Sequence, residues 1–566
     1  VSRKRWHIRP PAPAAHLAQF PDLSPVLVQV LYHREIRQPA EVRAFLDGTI
    51  PLGDPFRLRG MHAAVHRLRQ AIRRGELITV YGDFDVDGVT ATALLVQTLS
   101  ALGARVRPYI PHRVDEGYGL NASALKELAK TGTQLIVTVD CGVRSLKEAA
   151  LAQRLGLDLI ITDHHTPRDE LPTAWAVINP RQPGCAYGYK ALAGVGLAFK
   201  LAQALLRVHR QVPLPMAQTD LIEDELLDLV ALGTVVDVAP LVGENRVLVQ
   251  RGLRVLNQPK RPGLLSLMQV AGVQVGQVNG ESLGFALGPR LNAAGRLEHA
   301  MSAYKLLMCE SPVEAGELAR KLDDLNRRRQ ELTLATLASA RAQIETQLPE
   351  ARLLFVMGED YLPGIVGLVA GKLSEEYYRP AVVVELGKEK SRGSARSIPE
   401  FSIIEALDTC VPLLEKHGGH GAAAGFTALT HHLPELQARL QALAAERLRD
   451  VDLVPSLYID AEVPLRQVTW SVHDALSGLA PFGPENPAPL LLTRDVAVRE
   501  RRVVGNDHLK LLLTDGLAVW DAIAFRQAEL AVDLPPRIDI VYHLESNEWN
   551  GEKRLQLNIQ DLRPAV

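Results

Sequence analysis

Residues 77–88 read LITVYGDFDVDG, and the reading of this stretch decides the fold. Leu77 to Tyr81 is a short, β-branched run, and Asp83, Asp85, Asp87 and Gly88 follow it directly. A run of this length, bounded by turn residues, predicts a strand buried on both faces of a parallel sheet. The pattern returns in Leu135 to Val139, which ends in Asp140, and in Leu157 to Thr162, which ends in Asp163, His164 and His165. Asp237 follows another apolar segment, ALGTVVDVAP. Ligands of open α/β sheets bind in the crevice beyond the carboxyl ends of the strands. Several strands therefore deliver carboxylates and imidazoles to one edge, and a metal site rich in oxygen and nitrogen is the leading expectation.

Helical stretches at Thr90 to Leu102, Ala122 to Lys130 and Ser145 to Leu155 alternate with these strands, as βαβ units require. From about residue 190 to 310 the pattern is mainly helical, with Ala191 to Val208, Asp220 to Leu232 and Pro262 to Val270. Residues 313–347 have no glycine after Gly316 and no proline before Pro349, which predicts one long helix joining two lobes. A second small α/β unit follows, with a strand at Leu353 to Met357, a helix at Gly364 to Glu376 and the strand AVVVEL. Beyond about residue 455, short strand-like pieces separated by turn residues suit a small barrel of the OB type. The expected class is α/β with an appended β-barrel. The expected division is a segment 1–50 without assigned chemistry, a catalytic domain 51–310, a connecting helix 311–348, a second α/β domain 349–452 and a barrel 453–566.

A hydrophobic fraction of 47% and a charged fraction of 23% are those of an ordinary globular protein. No apolar run approaches the roughly 20 residues needed to span a bilayer, and the start VSRKRWHIRPPAPAAH has no apolar core after its basic residues. A cytoplasmic protein without membrane attachment is expected. The four cysteines show neither zinc-like nor CxxC spacing, and Cys141 reads as a reduced packing residue. A net charge of −2 neither demands nor excludes nucleic acid, so binding would rest on local patches such as Arg67 to Arg74, Asn326 to Arg329 or Arg499 to Arg502. Each of these can also be a plain solvated face.

Residues two apart on an extended segment face one side, so Asp83, Asp85 and Asp87 are expected to converge, with Gly88 allowing a tight turn into the next helix. An EF-hand calcium loop would need a glutamate six residues after the glycine, where Leu94 stands. Taken alone, Asp140 could equally be the start of a turn; adjacent histidines after a strand are harder to explain that way. Clustered buried carboxylates repel one another, and a divalent cation is the usual compensation. The nitrogen ligands favour manganese over magnesium, and the lack of cysteine ligands disfavours structural zinc. Two such ions, about 3.5–4 Å apart, would activate a water and stabilise the opposing oxygens of an in-line displacement at phosphorus. Hydrolysis of a phosphate ester or anhydride follows from the chemistry alone.

Together these motifs resemble the DHH phosphoesterase superfamily. GPRLNAAGRL (288–297), RSIPEF (396–401), GGHGAAAGF (418–426) and PFGPENPAP (481–489) narrow the resemblance to its RecJ family, over about residues 50–560. The resemblance implies a 5′→3′ exonuclease that releases 5′-mononucleotides from single-stranded DNA in repair and recombination, using manganese or magnesium. It also implies a DHHA1 domain after the long helix, and partners such as single-strand-binding protein and a helicase. By motif, Asp85 and Asp87 would bind the two metals, Asp83 would be an additional ligand, Asp140 would bridge, and His164 and Asp237 would complete the ligands of the second metal. His165 would face the scissile phosphate as electrostatic stabiliser or proton donor, and Asp163 would orient the neighbouring histidines. Some family members carry a further carboxy-terminal domain, which is expected to be missing here.

Outside the metal ligands, the small residues around Gly418, Gly419 and His420 could let amides approach an anion, or could be a tightly packed helix start. Arg396 and Ser397 could contact the nucleic-acid backbone or a 5′-phosphate. Asn292 and Arg296 could point into the cleft or bridge the lobes. A cleft between two lobes would admit one strand but not a duplex, and Trp520, Phe525 and Arg526 on the barrel could hold the trailing strand, although Trp520 could equally be core. Two rivals remain: a DHH hydrolase of short oligonucleotides or polyphosphate, and a catalytically inactive single-strand-binding scaffold.

Overall fold

A computed structural model describes residues 4–217, 221–347, 350–505, 507–549 and 552–565. They form two compact units, one of residues 51–452 with 483–485, the other of residues 1–50, 453–482 and 486–566.

In the first unit, strand β1 (Leu77–Tyr81) leads into helix α1 (Val86–Ala101), followed by β2 (Arg105–Tyr109), β3 (Leu135–Val139), β4 (Asp158–Thr162) and β5 (Ala176–Ile178). All neighbours pair in parallel, in the order 2-1-3-4-5. Every residue of β3 is buried, as its unbroken apolar run requires of a sheet covered on both faces. The order reverses between β1 and β3, and such a switch point is where an open α/β sheet presents its binding crevice. Helices α2 (Gly194–Gln211) and α3 (Leu227–Val236) pack on α1. The helix expected from Asp220 starts outside the described residues; its described part is a 3-10 turn at Glu223–Leu226 running into α3.

Helix α4 (Gly288–Leu297) precedes the long helix α5 (Pro312–Glu345), whose 34 residues extend about 51 Å. Its buried positions, among them Ala315, Ala319, Leu322, Leu337, Ala340 and Ile344, lie three or four residues apart or a few turns on, one apolar stripe. The second α/β sheet contains β6 (Leu354–Gly358), β7 (Ala381–Glu385), β8 (Lys390–Arg396), β9 (Lys416–His420) and β10 (Ala423–Leu429), with helix α6 (Pro363–Tyr377) after β6. Its order is 9-10-8-7-6, which leaves β6 at an edge. Helix α5 covers that edge. Gln343 donates to the Met357 carbonyl at 2.9 Å and accepts from its amide at 3.2 Å, and Gln347 does the same to Phe355 at 2.9 and 3.3 Å. Two side-chain amides one turn apart thus occupy groups that a further strand would otherwise use.

In the second unit, β11 (Leu491–Val504), β12 (His508–Thr514), β13 (Val519–Ala524), β14 (Arg537–Trp549) and β15 (Glu552–Pro564) pair in the order 11-12-13-15-14. β14 also pairs with β11, which closes a five-stranded barrel. Residues 1–50 belong to this unit. Arg5–Ile8 pair in parallel with Ser456–Ile459, and Phe20, Leu27, Val30, Leu31 and Phe45 share one core with Leu491, Leu511 and Ile540. No described helix is long and apolar enough to cross a membrane.

Candidate metal centre

The aspartates after β1 do not converge as alternate residues of an extended segment. The strand ends at Tyr81, Asp83 lies in the loop, Asp85 caps α1 by accepting from the Gly88 amide at 3.1 Å, and Asp87 sits in the first helical turn. Gly88 is likewise a point of close approach inside the helix: a Cβ there would stand 2.5 Å from the Asp83 amide nitrogen. Both oxygens of Asp87 accept from amides at the start of α2, Gly194 at 2.6 Å and Val195 at 2.8 Å, where the helix dipole favours negative charge. Gly194 must itself be bare, since a Cβ would lie 2.6 Å from that of Asp140. Asp140 follows β3 with a φ of 62°, the left-handed region, and Asp237 caps the end of α3.

His164 Nε2 lies 3.1 Å from Asp140 Oδ1 and 4.0 Å from an oxygen of both Asp87 and Asp237. Three groups each bring their ligand atoms within 4.8 Å of one another: Asp83, Asp85 and Asp140; Asp87, His164 and Asp237; and Asp140, His164 and His165. Asp140 is common to two of them and in contact with the third. Burial and the repulsion of neighbouring carboxylates raise the carboxyls of Asp83 and Asp140 well above the ordinary range, that of Asp87 to about 7 and that of Asp237 to about 9. Burial, with His165 alongside, lowers His164 to about 3, so it is a neutral imidazole, the form that ligates metals. Among the described residues, Asp83 Oδ1, Asp140 Oδ1 and His164 Nε2 are buried without a hydrogen-bond partner. Three buried lone-pair donors left in this state are costly; divalent cations held by these groups would satisfy them, and the oxygen and nitrogen donors suit manganese or magnesium.

His165 is built differently. Its Nδ1 lies 2.7 Å from Asp163 Oδ1 and 3.0 Å from the Tyr118 hydroxyl. Burial alone would lower its pKa, but the hydrogen bond and charge of Asp163, with the charges of Asp85 and Asp83, together raise it. Asp163 also accepts from the amides of His165 at 3.0 Å and Val143 at 2.8 Å. It orients His165; among the described residues it makes no hydrogen bond to the ring of His164.

A cleft of about 380 Å³ opens above these residues. Asn292 and Arg296 of α4 line it, Asn292 accepting from the Val86 amide at 3.2 Å and Arg296 donating to the Gly364 carbonyl at 3.2 Å. Arg296 therefore both faces the cleft and bridges the lobes, and burial beside Arg113 lowers its pKa to about 9. Arg113 and Tyr118, from the loop after β2, also line the cleft. Sequence reasoning missed them, although PHRVDEGYGL follows a strand of the same sheet and so lies at the same edge. Arg113 stacks 3.9 Å from the Phe84 ring centre.

Arg396 ends β8 and donates to Ser394 Oγ at 3.3 Å. The Ser397 hydroxyl is engaged in its own loop, donating to the Phe401 carbonyl at 2.6 Å. Gly418, Gly419 and His420 form strand β9 of a hairpin, not a helix start. His420 is close enough to Arg144, Arg181 and His165 to feel their charge, which together with burial lowers its pKa. Of the basic runs, Arg67 is buried against Glu76 at 2.5 Å and Asp158 at 2.6 Å, so that residue is scaffold, while Arg73 and Arg74 are exposed. Trp520 packs half-buried against the barrel core, while Phe525 is exposed.

Comparison with known proteins identifies three stretches. Residues 77–234 match the DHH family N-terminal domain, 350–446 the DHHA1 domain and 459–561 the RecJ OB domain. The chain is 40% identical to the single-stranded-DNA-specific exonuclease RecJ of Bacillus subtilis over 99% of its own length and 71% of that protein. It is 35% identical to that of Escherichia coli over 96% of each. The crystal structure of RecJ in complex with Mn2+ from Thermus thermophilus superposes with a TM-score of 0.85 at 34% identity, over 100% of this chain and 80% of that one. With domain order, identity and backbone in agreement over nearly all its length, the chain belongs to the RecJ family of exonucleases.

Proposed function

We propose that this protein is a metal-dependent 5′→3′ exonuclease that degrades single-stranded DNA to 5′-mononucleotides. The observation that carries the reading is the shared position of Asp140 between ligand groups in which Asp83 Oδ1, Asp140 Oδ1 and His164 Nε2 are buried with no hydrogen-bond partner among the described residues. We assign Asp83, Asp85 and Asp140 to one cation and Asp87, His164 and Asp237 to the other, with Asp140 serving both. When bound, the two ions supply a hydroxide nucleophile and charge neutralisation at phosphorus. His165, held on its Nδ1 by Asp163, has Nε2 left to face a non-bridging oxygen or the departing 3′-oxygen, and its raised pKa favours the protonated ring there. Asn292, Arg296 and Arg396 are assigned to the terminal nucleotide and its 5′-phosphate, and the exposed Gly418–His420 strand to a backbone contact.

The catalytic role falls on residues 51–310, with the helix 311–348 as connector, 349–452 as the second wall of the cleft, and 453–566 as the single-strand-holding barrel; residues 1–50 complete the barrel unit. The setting we propose is cytoplasmic DNA repair and recombination, beside single-strand-binding protein and a helicase. The test is digestion of single strands labelled separately at each end, with duplex controls and a manganese titration. Early release of labelled mononucleotide from the 5′ label alone is expected. A preference for oligonucleotides of a few residues over long strands would favour the small-substrate rival, and binding without cleavage would favour the inactive scaffold.

A further inference from the structure

The first sheet carries cations on both flanks of its acidic edge. The loop after β2, at one flank, supplies Arg113, which influences Asp83 and Arg296. The segment after β5, at the other flank, supplies Arg181, which influences Asp237, His164 and His420. Arg144, from the loop after β3, joins Arg181 there. Its Nε donates to the Thr166 carbonyl at 2.8 Å, and Arg181 Nη1 donates to the Thr166 hydroxyl at 3.3 Å. Thr166 directly follows His165, so both guanidinium groups are tethered to the segment that carries the DHH histidines. Arg181 Nε is also held, by the Lys190 carbonyl at 3.2 Å. Among the described residues neither arginine pairs with a carboxylate, although acids crowd the same edge.

Side chains pinned through Nε and without a close carboxylate partner among the described residues are prearranged for a phosphate. Adjacent strands lie about 4.8 Å apart, so the edge from β2 to β5 measures roughly 19 Å. That is wide enough for a strand to cross the metal centre with a further phosphate on each side. The exonuclease reading places the departing nucleotide at Arg296 and Arg396, so the opposite flank meets the strand that remains. We infer that Arg144 and Arg181 form a subsite for the phosphate immediately 3′ of the scissile one, so that the substrate crosses the sheet edge from the β2 flank to the β5 flank in the 5′→3′ direction. This inference rests on the proposed exonuclease activity.

Two measurements test it. In EDTA, a 5′-phosphorylated oligothymidylate should bind the Arg144→Ala/Arg181→Ala variant about tenfold more weakly at low salt, with the slope of log Kd against log salt shallower by about 0.7, the contribution of one single-strand phosphate. In Mn2+, a neutral methylphosphonate in place of the phosphate just 3′ of the scissile one should slow the wild type about tenfold and the double variant no further. An unchanged salt slope, or losses that simply multiply, would overturn the subsite. If the double variant melts early, Arg181→Gln alone is put through the same cycle. Wild-type protein that cuts no single strand in Mn2+ would instead sink the exonuclease reading; cleavage with multiplying losses sinks the subsite alone.

Discussion

Asp87 and Asp237 keep their protons up to about 7 and about 9 in the folded, metal-free chain, against 3.8 for an unperturbed aspartate. The fold therefore binds protons that the unfolded chain has already released, and the stability they contribute is present at low pH and lost as pH rises through those values. His164 has the opposite sign, neutral in the fold down to about 3, and its contribution is complete above the ordinary 6.5. His165, raised, acts in the same direction as the aspartates. Above pH 6.5 the opposing contribution of His164 is therefore constant, and Asp237 carries the loss of stability up to about 9. The Tm of chelator-treated protein should fall across that window, and the rise caused by Mn2+ should be larger at the alkaline end of the window than at the acid end, because metal replaces protons. A Tm that is flat or rising in chelator contradicts this. Asp140→Ala removes the proposed shared ligand and should lower hydrolysis by on the order of a thousandfold or more, while single-strand affinity in EDTA stays within a few fold; near-normal turnover would remove Asp140 from its role. The proposed ligands Asp83, Asp140 and His164 are legible in the sequence because strand ends repeat a recognisable residue type, and Asp237 because it follows an apolar run that is the helix α3. Arg113 and Tyr118 are not, since a lone arginine or tyrosine in a loop carries no periodic signal.

Among elements, the clasp of α5 on β6 makes a sharp expectation. Replacing Gln343 and Gln347 with leucine strands two amides and two carbonyls on the edge of the sheet. The loss should be about 2–4 kcal/mol, read by denaturant unfolding, with faster hydrogen exchange at Phe355 and Met357. Unchanged exchange there would show that the contacts do not hold the edge. The strands β1 and β3 are legible to the residue because both faces are buried and the apolar run has no alternative use. The sequence pattern starts helix α1 at Thr90, whereas the helix starts at Val86, because two of the aspartates that read as strand extension are its cap and first turn. The Gly418–Phe426 hairpin is hidden for another reason. Its small residues have no alternation, and its register is set by a distant partner, Gly425 standing opposite Ser394.

At the scale of the whole molecule, the division into a parallel-sheet lobe, a mixed-sheet lobe and a barrel can be read from changes in period, but the allegiance of residues 1–50 cannot. They contribute Phe20, Leu27, Val30, Leu31 and Phe45 to the barrel's core, and each such side chain is worth about 1.5–3 kcal/mol when fully buried. Their sum rivals the whole stability of a typical domain, about 5–15 kcal/mol. Deletion of residues 1–50 should therefore unfold the barrel unit, seen as rapid proteolysis between residues 453 and 566, while the unit of residues 51–452 stays protected. A protease-resistant barrel in the truncated protein would refute this.

Trp6 donates its indole N–H to Asp561, a partner 555 residues away. Ribosomes add about 5–20 residues per second, so the Arg5–Ile8 strand emerges roughly half a minute to two minutes before its seat is made. In that interval the parallel-sheet and mixed-sheet lobes can finish folding. The leading tail, with its row of apolar side chains, must wait in solution or on a chaperone until the last strands arrive.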